Sequence, residues 1–496
     1  MEKLVDYIQL NAERYPDKPA VVLGAFAAPV VVGSAAPVVV GSAAPVVVGG
    51  FPADSSASAV TYADLHRRIK QRAQEMTTAP QQIVCLRAEC SIDFLVTYFA
   101  LHRRGSVAAP LERDMPEETF RRIAAELGAH TCPEGTADVL YTTGTTGRSK
   151  GVMVSHETIL ADAENLVDGQ GFCHDTVFVI NGPLNHIGSL SKVYPVMLLG
   201  GTIILVDGLR DLNAFYAAFT SVDSWLPKSG NHNVQSPEKF ATFLVPASIR
   251  ILIQLSSKQL AALADRLDFI ETGAAAISQN DMETLCQLLP HTRLYNTYAS
   301  TETGIIATYN FNASAQVDPA SKNAPERPCL AGCLGRPMRH SRLFITPEGL
   351  IACQGKTLMT GYVGDPERTA SVLRDGTLFT SDLGRIDEQG FLHLQGREDD
   401  VINVGGFKVA PTEVEDAAMA FPDVQDCICL PVAHPITGTA LRLLVQMADG
   451  ATLNKRQLAL YLKGRLETYK VPQRYEQVAT IQRTFNGKLD RKAYKD

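Results

Sequence analysis

The sequence predicts an α/β fold in two parts. These are a large N-terminal compound domain, with two βαβ-type sheet subdomains and a β-rich subdomain, and a small mobile α+β domain at the C-terminal end. The length of 496 residues exceeds one ordinary core of about 100–200 residues. Up to residue 297, helical periodicity alternates with short apolar strands, which is typical of βαβ units. After residue 330, short strands and turns replace this alternation, and a charged, glycine-containing stretch follows at 396–406. We therefore predict an N-terminal domain at 1–396, a hinge at 397–400 and a C-terminal domain at 401–496.

The elements are predicted in chain order from periodicity and turn residues. Residues 4–20 show helical spacing and end in Pro16 and Pro19, which indicates an opening helix before a strand at 20–23. Helices are then predicted at 63–72, 91–104 and 117–128. Strands of the βαβ region are predicted at 60–62, 83–86, 106–110, 176–181, 202–207, 243–246, 269–272 and 292–297. Strands of the β-rich region are predicted at 341–347, 350–354, 377–384 and 391–396.

An unusual insertion separates the first two strands. The octapeptide APVVVGSA recurs with a period of eight residues from Ala28, Ala36 and Ala44, which is too few copies for a solenoid. We interpret residues 28–50 as an expanded hairpin loop rather than an edge strand for a partner, because proline in every copy opposes strand pairing. The same prolines and the glycines also argue against a membrane-spanning helix.

Composition limits the class of function. A net charge of −7 and a calculated pI near 5.9 argue against binding to nucleic acid or to an anionic membrane, since both require a basic surface. The N-terminal sequence does not resemble a secretory signal, so we expect a cytoplasmic protein, either a monomer or a homodimer. The ten cysteines are scattered without zinc-ligand spacing, and we expect reduced, buried thiols.

The most informative segment is the loop at 141–151. The sequence DVLYTTGTTGRSKGVMVSH at 138–156 is an apolar strand that leads into hydroxyl-bearing residues, glycines and two cations. Such a loop exposes backbone N–H groups, adds hydroxyl donors and supplies Arg148 and Lys150 to neutralise charge, which suits a polyphosphate. It does not have the spacing of a Walker loop. By itself the loop could also be a flexible linker.

This loop resembles the signature of the adenylate-forming (ANL) superfamily. The superfamily comprises acyl- and aryl-CoA ligases, firefly luciferases and the adenylation domains of peptide synthetases. Five further blocks occur in the family's order: PLNHIG at 183–188, YNTYASTET at 295–303, TSDLG at 380–384, GREDD at 396–400 and NGK at 486–488. The resemblance therefore covers nearly the whole chain, and it implies that the protein uses ATP.

The resemblance assigns a role to each block. Glu302 is a hard oxygen ligand suited to Mg²⁺, Thr301 can donate to the α-phosphate, and Tyr298 stacks on adenine. Asp382 would accept the ribose hydroxyls, although alone it could be a turn residue, and Arg397 would contact ribose and phosphate, although alone it could be a surface ion-pair partner. The nucleotide-binding residues implied in this way are Thr142, Thr143, Gly144, Thr145, Thr146, Gly147, Lys150, Gly273, Ala274, Asn296, Tyr298, Thr301, Asp382 and Arg397. Walls of the acid pocket are expected from His186, Gly188, Pro246, Gly273, Ala274 and Ala275.

Lys488 carries the predicted chemistry most directly. An ammonium placed at the reacting phosphate stabilises the charge that develops when a carboxylate attacks it. Elsewhere the basic run that contains Lys488 would be a solvated tail. The resemblance adds Thr301, Glu302 and His186 to the catalytic residues and places the hinge of the C-terminal domain at Asp399. It also implies that Gly405, Gly406 and Lys408 lie beside coenzyme A.

These residues predict an acid–thiol ligase that forms an acyl-adenylate and then a CoA thioester. Two alternatives stay open: transfer to the phosphopantetheine of a carrier protein, and a degenerate nucleotide-binding protein. The block around His186 has no aspartate to hold an α-amino group, so we expect a fatty or aromatic acid. The predicted cofactors are ATP, Mg²⁺ and coenzyme A, the last as acceptor substrate.

Overall fold

The computed structural model describes residues 2–24, 58–142, 150–219, 239–312, 329–435, 438–483 and 489–494. Three predicted features lie outside these residues. They are the repeat insertion at 28–50, the tip of the phosphate loop with Thr143, Gly144, Thr145, Thr146 and Gly147, and the catalytic Lys488. Their roles therefore stay predictions.

The helices begin and end where the sequence supplies capping residues. Ser91 and Ser155 each accept a hydrogen bond from a backbone N–H in the first turn of the following helix. Gly105 and Gly200 end their helices in the left-handed conformation, which glycine adopts without strain. None of the helices within the described ranges is long and apolar enough to cross a membrane. The helices are α1 (Leu4–Arg14), α2 (Tyr62–Glu75), α3 (Ile92–Arg104), α4 (Glu117–Gly128), α5 (His156–Gln170), α6 (Ile187–Leu199), α7 (Leu212–Ala217), α8 (Pro246–Ala261), α9 (Gln279–Leu288), α10 (Pro366–Val372), α11 (Pro411–Met419) and α12 (Lys455–Lys463).

The strands are short and mostly buried, as the predicted βαβ alternation requires. Those before residue 312 are β1 (Pro19–Leu23), β2 (Ala59–Thr61), β3 (Ile83–Arg87), β4 (Val107–Leu111), β5 (Thr136–Thr142), β6 (Lys150–Ser155), β7 (Thr176–Ile180), β8 (Thr202–Leu205), β9 (Lys239–Phe243), β10 (Leu267–Thr272), β11 (Arg293–Ser300) and β12 (Gly304–Asn310). The later strands are β13 (Cys333–Pro337), β14 (Ser341–Ile345), β15 (Leu350–Gly355), β16 (Gly361–Tyr362), β17 (Leu373–Arg374), β18 (Thr377–Ile386), β19 (Leu392–Arg397), β20 (Ile402–Val404), β21 (Phe407–Val409), β22 (Val424–His434), β23 (Gly438–Met447) and β24 (Arg474–Gln477).

One large sheet dominates the N-terminal part. Its strand order is β14-β15-β18-β19-β13-β12-β11-β10-β9-β7-β8-β1-β2, and β17 pairs with β18. The pairings from β1 through β8, β7, β9 and β10 to β11 are parallel. Residues of α3, α5 and α6 pack against one face of the sheet, and residues of α8 and α9 pack against the other. The predicted α/β class is confirmed, and the β-rich region extends this sheet because β13 pairs with β12.

A five-stranded sheet carries the predicted phosphate loop. Its order is β16-β6-β5-β4-β3. β5 and β6 form an antiparallel hairpin in which Thr142 pairs with Lys150, at the two ends of segment 143–149. The short strand β16 pairs with β6 from much later in the chain, with Tyr362 opposite Val152. The hairpin therefore holds Lys150 at the base of the loop and brings Tyr362 close to it.

The strand predicted at 243–246 is wrong. The strand in this region is β9, which ends at Phe243, and Pro246 is the first residue of α8. Proline is favoured at this helix position, since it lacks the N–H that would be unpaired there and its φ angle already suits a helix. Phe243 consequently lies at the carboxyl end of a parallel strand rather than at its start.

The C-terminal part forms a small α+β unit. After a 3₁₀ turn at Glu398–Asp400, the chain forms the β20–β21 hairpin, the sheet β22-β23-β24 and the helices α11 and α12 around their own apolar core. Asp399 lies in this 3₁₀ turn. An ion pair of 3.4 Å between Arg250 and Asp426 connects α8 to β22. The large and small parts agree with the predicted fold class, whereas the domain limits and the hinge at Asp399 stay predictions.

The thiols are free, as expected. All ten cysteines are unbridged. Cys90, Cys173, Cys286 and Cys329 are only partly buried, so the expectation of complete burial holds for the other six.

Candidate active site

A lysine, a glutamate and a tyrosine from three distant segments meet at the base of the predicted phosphate loop. The Lys150 ammonium lies 2.5 Å from Glu302 Oε1 and donates to the Tyr362 hydroxyl at 2.8 Å. That hydroxyl donates to Glu302 Oε1 at 3.1 Å. The side chains of Lys150 and Glu302 remain 18% and 19% exposed. A ligand that carries negative charge can therefore reach the lysine, and a cation can reach the glutamate.

Glu302 is ionised despite its surroundings. Burial by itself would raise the pKa of this carboxyl group, but the charge of Lys150 and the hydrogen bonds from Lys150 and Tyr362 outweigh burial. The pKa of Glu302 is consequently below its ordinary value. An ionised carboxylate is the type of ligand that Mg²⁺ prefers in proteins.

The turn that follows β11 positions Thr301 and Glu302. Ser300 Oγ accepts a hydrogen bond from the Thr303 N–H at 3.1 Å, and Thr303 Oγ1 accepts one from the Ser300 N–H at 2.9 Å. Gly304 has a φ of +66°, and a Cβ there would lie 2.6 Å from two oxygen atoms of neighbouring segments. The turn thus requires glycine at position 304, directly after Thr303. It holds Thr301 and Glu302, both half-buried, at the carboxyl end of a central strand.

A second cluster lies on the strands beside this turn. Tyr298 of β11 donates its hydroxyl to Asp382 Oδ2 at 2.6 Å, and Arg397 Nε lies 3.3 Å from Asp382 Oδ1. Asp382 and Arg397 are opposite each other in the pairing of β18 and β19. Burial raises the pKa of Tyr298 well above its ordinary value, so its hydroxyl stays protonated and donates. Asp382 thus accepts a hydrogen bond at Oδ2 and forms an ion pair at Oδ1, on a side chain that is 20% exposed.

The predicted residues of the acid pocket lie where α6 begins and where β9 and β10 end. His186 is the N-cap residue of α6, and Gly188 lies in its first turn. A Cβ on Gly188 would come within 3.0 Å of the Phe243 ring, and a Cβ on Gly273 would lie 2.8 Å from the Thr297 carbonyl oxygen. A side chain at either position would therefore be crowded, at Gly188 by the Phe243 ring and at Gly273 by the backbone of β11.

The other predicted residues of this region have simpler surroundings. Ala274 is exposed and has a φ of +67°, which is uncommon for a residue with a Cβ. Pro246 is buried at the start of α8, and Ala275 is half-buried. The Asn296 amide donates to the Cys333 carbonyl oxygen at 2.9 Å, so this amide connects β11 to β13. A nucleotide-binding role for Asn296 stays a prediction.

The predicted coenzyme A residues lie at the tip of the β20–β21 hairpin. Gly405 and Gly406 have φ angles of +59° and +94°, and both are exposed, as is Lys408. The exposed Phe407 ring stacks on Tyr469 at 4.6 Å, within the small C-terminal unit. The structure thus places these residues on an exposed tip, and their contact with a thiol substrate stays a prediction.

Two residues of the site are missing from the sequence-based prediction. Tyr362 contacts both Lys150 and Glu302, but no spacing rule connects it to either residue. Phe243 was assigned to the start of a strand, and its position at the strand's end, beside the glycines, appears only in the folded chain.

The fold and the two polar clusters define an adenylate-forming enzyme. The family model of AMP-binding enzymes matches residues 129–363, and the model of the AMP-binding enzyme C-terminal domain matches residues 413–488. Together these regions cover more than half of the chain. The chain belongs to the AMP-binding enzyme family, which confirms the resemblance seen in the sequence.

Individual relatives agree with this assignment. The chain is 28% identical over 479 residues to a feruloyl-CoA synthase of an Amycolatopsis species, which covers 87% of the chain and 92% of that protein. It is 27% identical to an indoleacetate–CoA ligase of Aromatoleum aromaticum, over 71% of the chain and 65% of that protein. The fold matches the crystal structure of ATP-bound MatB from Rhodopseudomonas palustris with a TM-score of 0.77, at 22% identity and over 99% of each chain.

Proposed function

We propose that this enzyme uses ATP to convert a carboxylic acid into an acyl-adenylate and then transfers the acyl group to coenzyme A. The main observation is that two polar clusters share one strand end. Tyr298, on β11, contacts Asp382, and Glu302, on the turn that follows β11, contacts Lys150. ATP joins a nucleoside to negatively charged phosphates. These two parts need adjacent subsites, and the two clusters would provide one for each.

The nucleoside would bind at Tyr298, Asp382 and Arg397. The ribose hydroxyls would donate to the two Asp382 oxygens, replacing the hydrogen bond from Tyr298 and the contact with Arg397. The Tyr298 ring supplies a flat face for adenine. Arg397 would then be released to contact a phosphate oxygen, which guanidinium groups bind well.

The phosphates would bind between Lys150 and Glu302. In the described part of the chain no cluster of three or more histidine, cysteine or acidic side chains could hold a metal ion. The single carboxylate of Glu302 nevertheless fits Mg²⁺, which keeps several waters and binds through one or two carboxylates together with substrate phosphates. Bound there, Mg²⁺ would supply charge neutralisation at the phosphates.

The chemistry proceeds in two steps. In the first, an oxygen of the acid's carboxylate attacks the α-phosphorus of ATP, and the bond to the departing pyrophosphate breaks. Lys150 and Thr301 would stabilise the charge on the phosphate oxygens, and Lys488 would do so from the C-terminal domain. In the second, the thiol of coenzyme A loses its proton and attacks the acyl carbon, and AMP leaves with the electrons of the broken C–O bond.

The names of two relatives support an aromatic acid and coenzyme A. Feruloyl-CoA synthase and indoleacetate–CoA ligase are both named for aromatic acids and for coenzyme A. A carrier-protein phosphopantetheine is the second candidate acceptor, because the same thiol chemistry would serve it.

Exchange of labelled pyrophosphate into ATP, measured with a panel of aromatic and aliphatic acids, tests the first step. We expect exchange that depends on the acid, and AMP release that depends on coenzyme A. If no acid in the panel supports exchange, the chain is a nucleotide-binding protein without this activity. A thioester formed with a holo-carrier protein but not with coenzyme A would favour the second acceptor.

The role of Lys488 has a separate test. We expect Lys488→Ala to abolish adenylate formation and to spare thioester formation from supplied acyl-AMP. Lys495→Ala changes a second lysine of the same basic tail and serves as the control. Equal loss of both half-reactions in Lys488→Ala would contradict the assigned role.

A further inference from the structure

A short backbone segment at 359–363 connects the two charged residues of the predicted phosphate subsite. The Met359 N–H donates to the Glu302 carbonyl oxygen at 2.8 Å. The Val363 N–H donates at 2.9 Å to the carbonyl oxygen of the residue that follows Lys150. The segment also contains β16, which pairs with β6. It therefore fixes the backbone of Glu302 relative to the backbone of Lys150.

Tyr362 is held firmly within this segment. Its N–H donates to Thr369 Oγ1 at 2.9 Å, and that hydroxyl group donates to the Asp365 carbonyl oxygen at 2.8 Å. Tyr362 is buried, and the guanidinium group of Arg368 lies 5.3 Å from the centroid of its ring. The strand pairing, the backbone hydrogen bond and the packing of the ring together fix the position of the Tyr362 hydroxyl group.

This hydroxyl group uses both of its hydrogen-bonding functions on the two charges. It accepts a hydrogen bond from Lys150 at 2.8 Å and donates one to Glu302 Oε1 at 3.1 Å. The Lys150 ammonium also lies 4.4 Å from the centroid of the Tyr362 ring, whose face attracts a cation. Burial raises the pKa of Tyr362, so the hydroxyl group keeps the proton that it donates.

The direct contact between Lys150 and Glu302 opposes the binding of a triphosphate. At 2.5 Å the ammonium and the carboxylate satisfy each other. A phosphate oxygen has to replace the carboxylate at Lys150, and a cation has to replace the ammonium at Glu302. The Tyr362 hydroxyl group does not compete in this way, because it is neutral and contacts the lysine through its oxygen and the glutamate through its hydrogen. It is able to keep both hydrogen bonds after the direct contact is broken.

We propose that Tyr362 is a positioning residue whose hydroxyl group holds Lys150 and Glu302 in place when the magnesium-bound triphosphate of ATP separates their ion pair. This inference rests on the proposed function. Tyr362 acts through the two charged side chains and not on the reacting atoms. Without its hydroxyl group, ATP would have to order both side chains when it binds, which lowers affinity.

The test measures the affinity for ATP without turnover. Tyr362→Phe keeps the ring and its packing and removes only the hydroxyl group. We expect the Kd for ATP, measured by calorimetry with excess Mg²⁺ and no acid, to rise about 10- to 100-fold, as is typical of lost hydrogen bonds to charged groups. KM for ATP in pyrophosphate exchange should rise by the same factor, with kcat little changed. An unchanged Kd would overturn the proposal.

Tyr475→Phe is the matched control. Tyr475 lies in β24 of the C-terminal part, and its buried hydroxyl group has no hydrogen-bond partner among the described residues. The control removes a buried hydroxyl group of the same kind, away from Lys150 and Glu302. It should leave the Kd for ATP unchanged, whereas a rise equal to that in Tyr362→Phe would contradict a specific role for Tyr362.

A double-mutant cycle with Glu302→Gln separates positioning from a general structural role. If the hydroxyl group acts through the charge of Glu302, adding Tyr362→Phe to Glu302→Gln should weaken ATP binding much less than Tyr362→Phe does alone. Effects that simply multiply would show that the hydroxyl group acts independently of Glu302 and would refute the proposal. The proposed function has a different mode of failure, since it requires that the wild type bind ATP and support exchange with an acid.

Discussion

The nucleotide side and the acid side of the site are built differently. On the nucleotide side, Tyr298, Glu302 and Asp382 lie in two short blocks of sequence. Tyr298 is buried, and the side chains of Glu302 and Asp382 are 19% and 20% exposed. On the acid side, Lys192 and Glu271 form an ion pair, are isolated in apolar segments and are fully buried. The proposed function assigns the nucleotide to the first side and the acid to the second. We therefore expect substitutions on the two sides to have different effects on the kinetics of the enzyme.

The largest expected effect is on the nucleotide side, at Glu302. Glu302→Gln keeps the size of the side chain and removes the charge that Lys150 contacts and that a metal ion would need. We expect kcat/KM for pyrophosphate exchange to fall by about 100-fold or more with every acid, since the lost charge acts on the phosphates alone.

Glu348→Gln is the control for this substitution, because Glu348 is an exposed glutamate. It should leave exchange unchanged. A loss in Glu302→Gln that depended on which acid was used would contradict the separation of the two sides.

Asp382→Asn should have the next largest effect. The substitution keeps one oxygen acceptor and removes the charge that holds Arg397 and accepts from Tyr298. We expect KM for ATP to rise by about 10- to 100-fold, because a charged acceptor for the ribose is lost. The measurement is the ATP dependence of exchange at a saturating acid concentration.

Tyr298→Phe is the matched variant for the ribose subsite. It removes only the hydroxyl that donates to Asp382 and keeps the ring that adenine would contact. We expect a smaller rise in KM for ATP than in Asp382→Asn. An equal or larger rise would mean that the hydroxyl, rather than the carboxylate, recognises the nucleoside.

Gly188→Ala addresses the acid side. The added Cβ would lie 3.0 Å from the Phe243 ring, so the ring must shift within the proposed acid-binding region. We expect kcat/KM for an aromatic acid to fall by about tenfold, because a small displacement of the Phe243 ring misplaces the acid. KM for ATP should stay unchanged. Acetate, which is too small to reach the Phe243 ring from the reacting carboxylate, serves as the control substrate. A parallel loss with acetate would show that the substitution damages the site generally.

The contrast between the two sides also explains what the sequence could predict. Lys150, Glu302 and Asp382 were predicted because each lies within a short block that resembles the family. Tyr362 was not, because it reaches Lys150 only through the pairing of β16 with β6. The fold class followed from periodicity, which depends on local residues. In contrast, the extension of the main sheet into the β-rich region depends on the contact of β12 with β13, for which the sequence has no local signal.

The acid side was the hardest part to predict, for a physical reason. A lysine in the middle of α6 and a glutamate in β10 are ordinarily interpreted as exposed positions, since charged residues are almost never fully buried unless they are paired. Their pairing depends on the packing of that helix on that strand. Phe243 was misplaced for a related reason, since the proline that begins α8 was interpreted as part of a strand.

The smallest expected effects concern the response of stability to pH, and they have opposite signs at two residues of α5. His156 begins α5 directly after β6, and burial lowers its pKa to about 2. The unfolded chain binds a proton at this residue below about pH 6.5, whereas the folded chain does not. The contribution of neutral His156 to the free energy of unfolding is therefore present above pH 6.5. It is lost as pH falls, by up to about 1.4 kcal/mol per pH unit. His156→Phe should reduce the fall in melting temperature between pH 7 and pH 5.

Asp162, further along the same helix, should act in the opposite direction. Burial raises its pKa to about 8, so between about pH 4 and pH 8 the folded chain holds a proton that the unfolded chain has released. The contribution of protonated Asp162 to the free energy of unfolding is complete at low pH and is lost as pH rises through that window. Asp162→Asn keeps the acceptor for the Ile305 N–H and removes the titration. We expect the melting temperature of this variant to fall less than that of the wild type between pH 6 and pH 8. If His156→Phe and Asp162→Asn changed the pH response in the same direction, the assignment of a neutral imidazole to His156 and a protonated carboxyl group to Asp162 would be wrong.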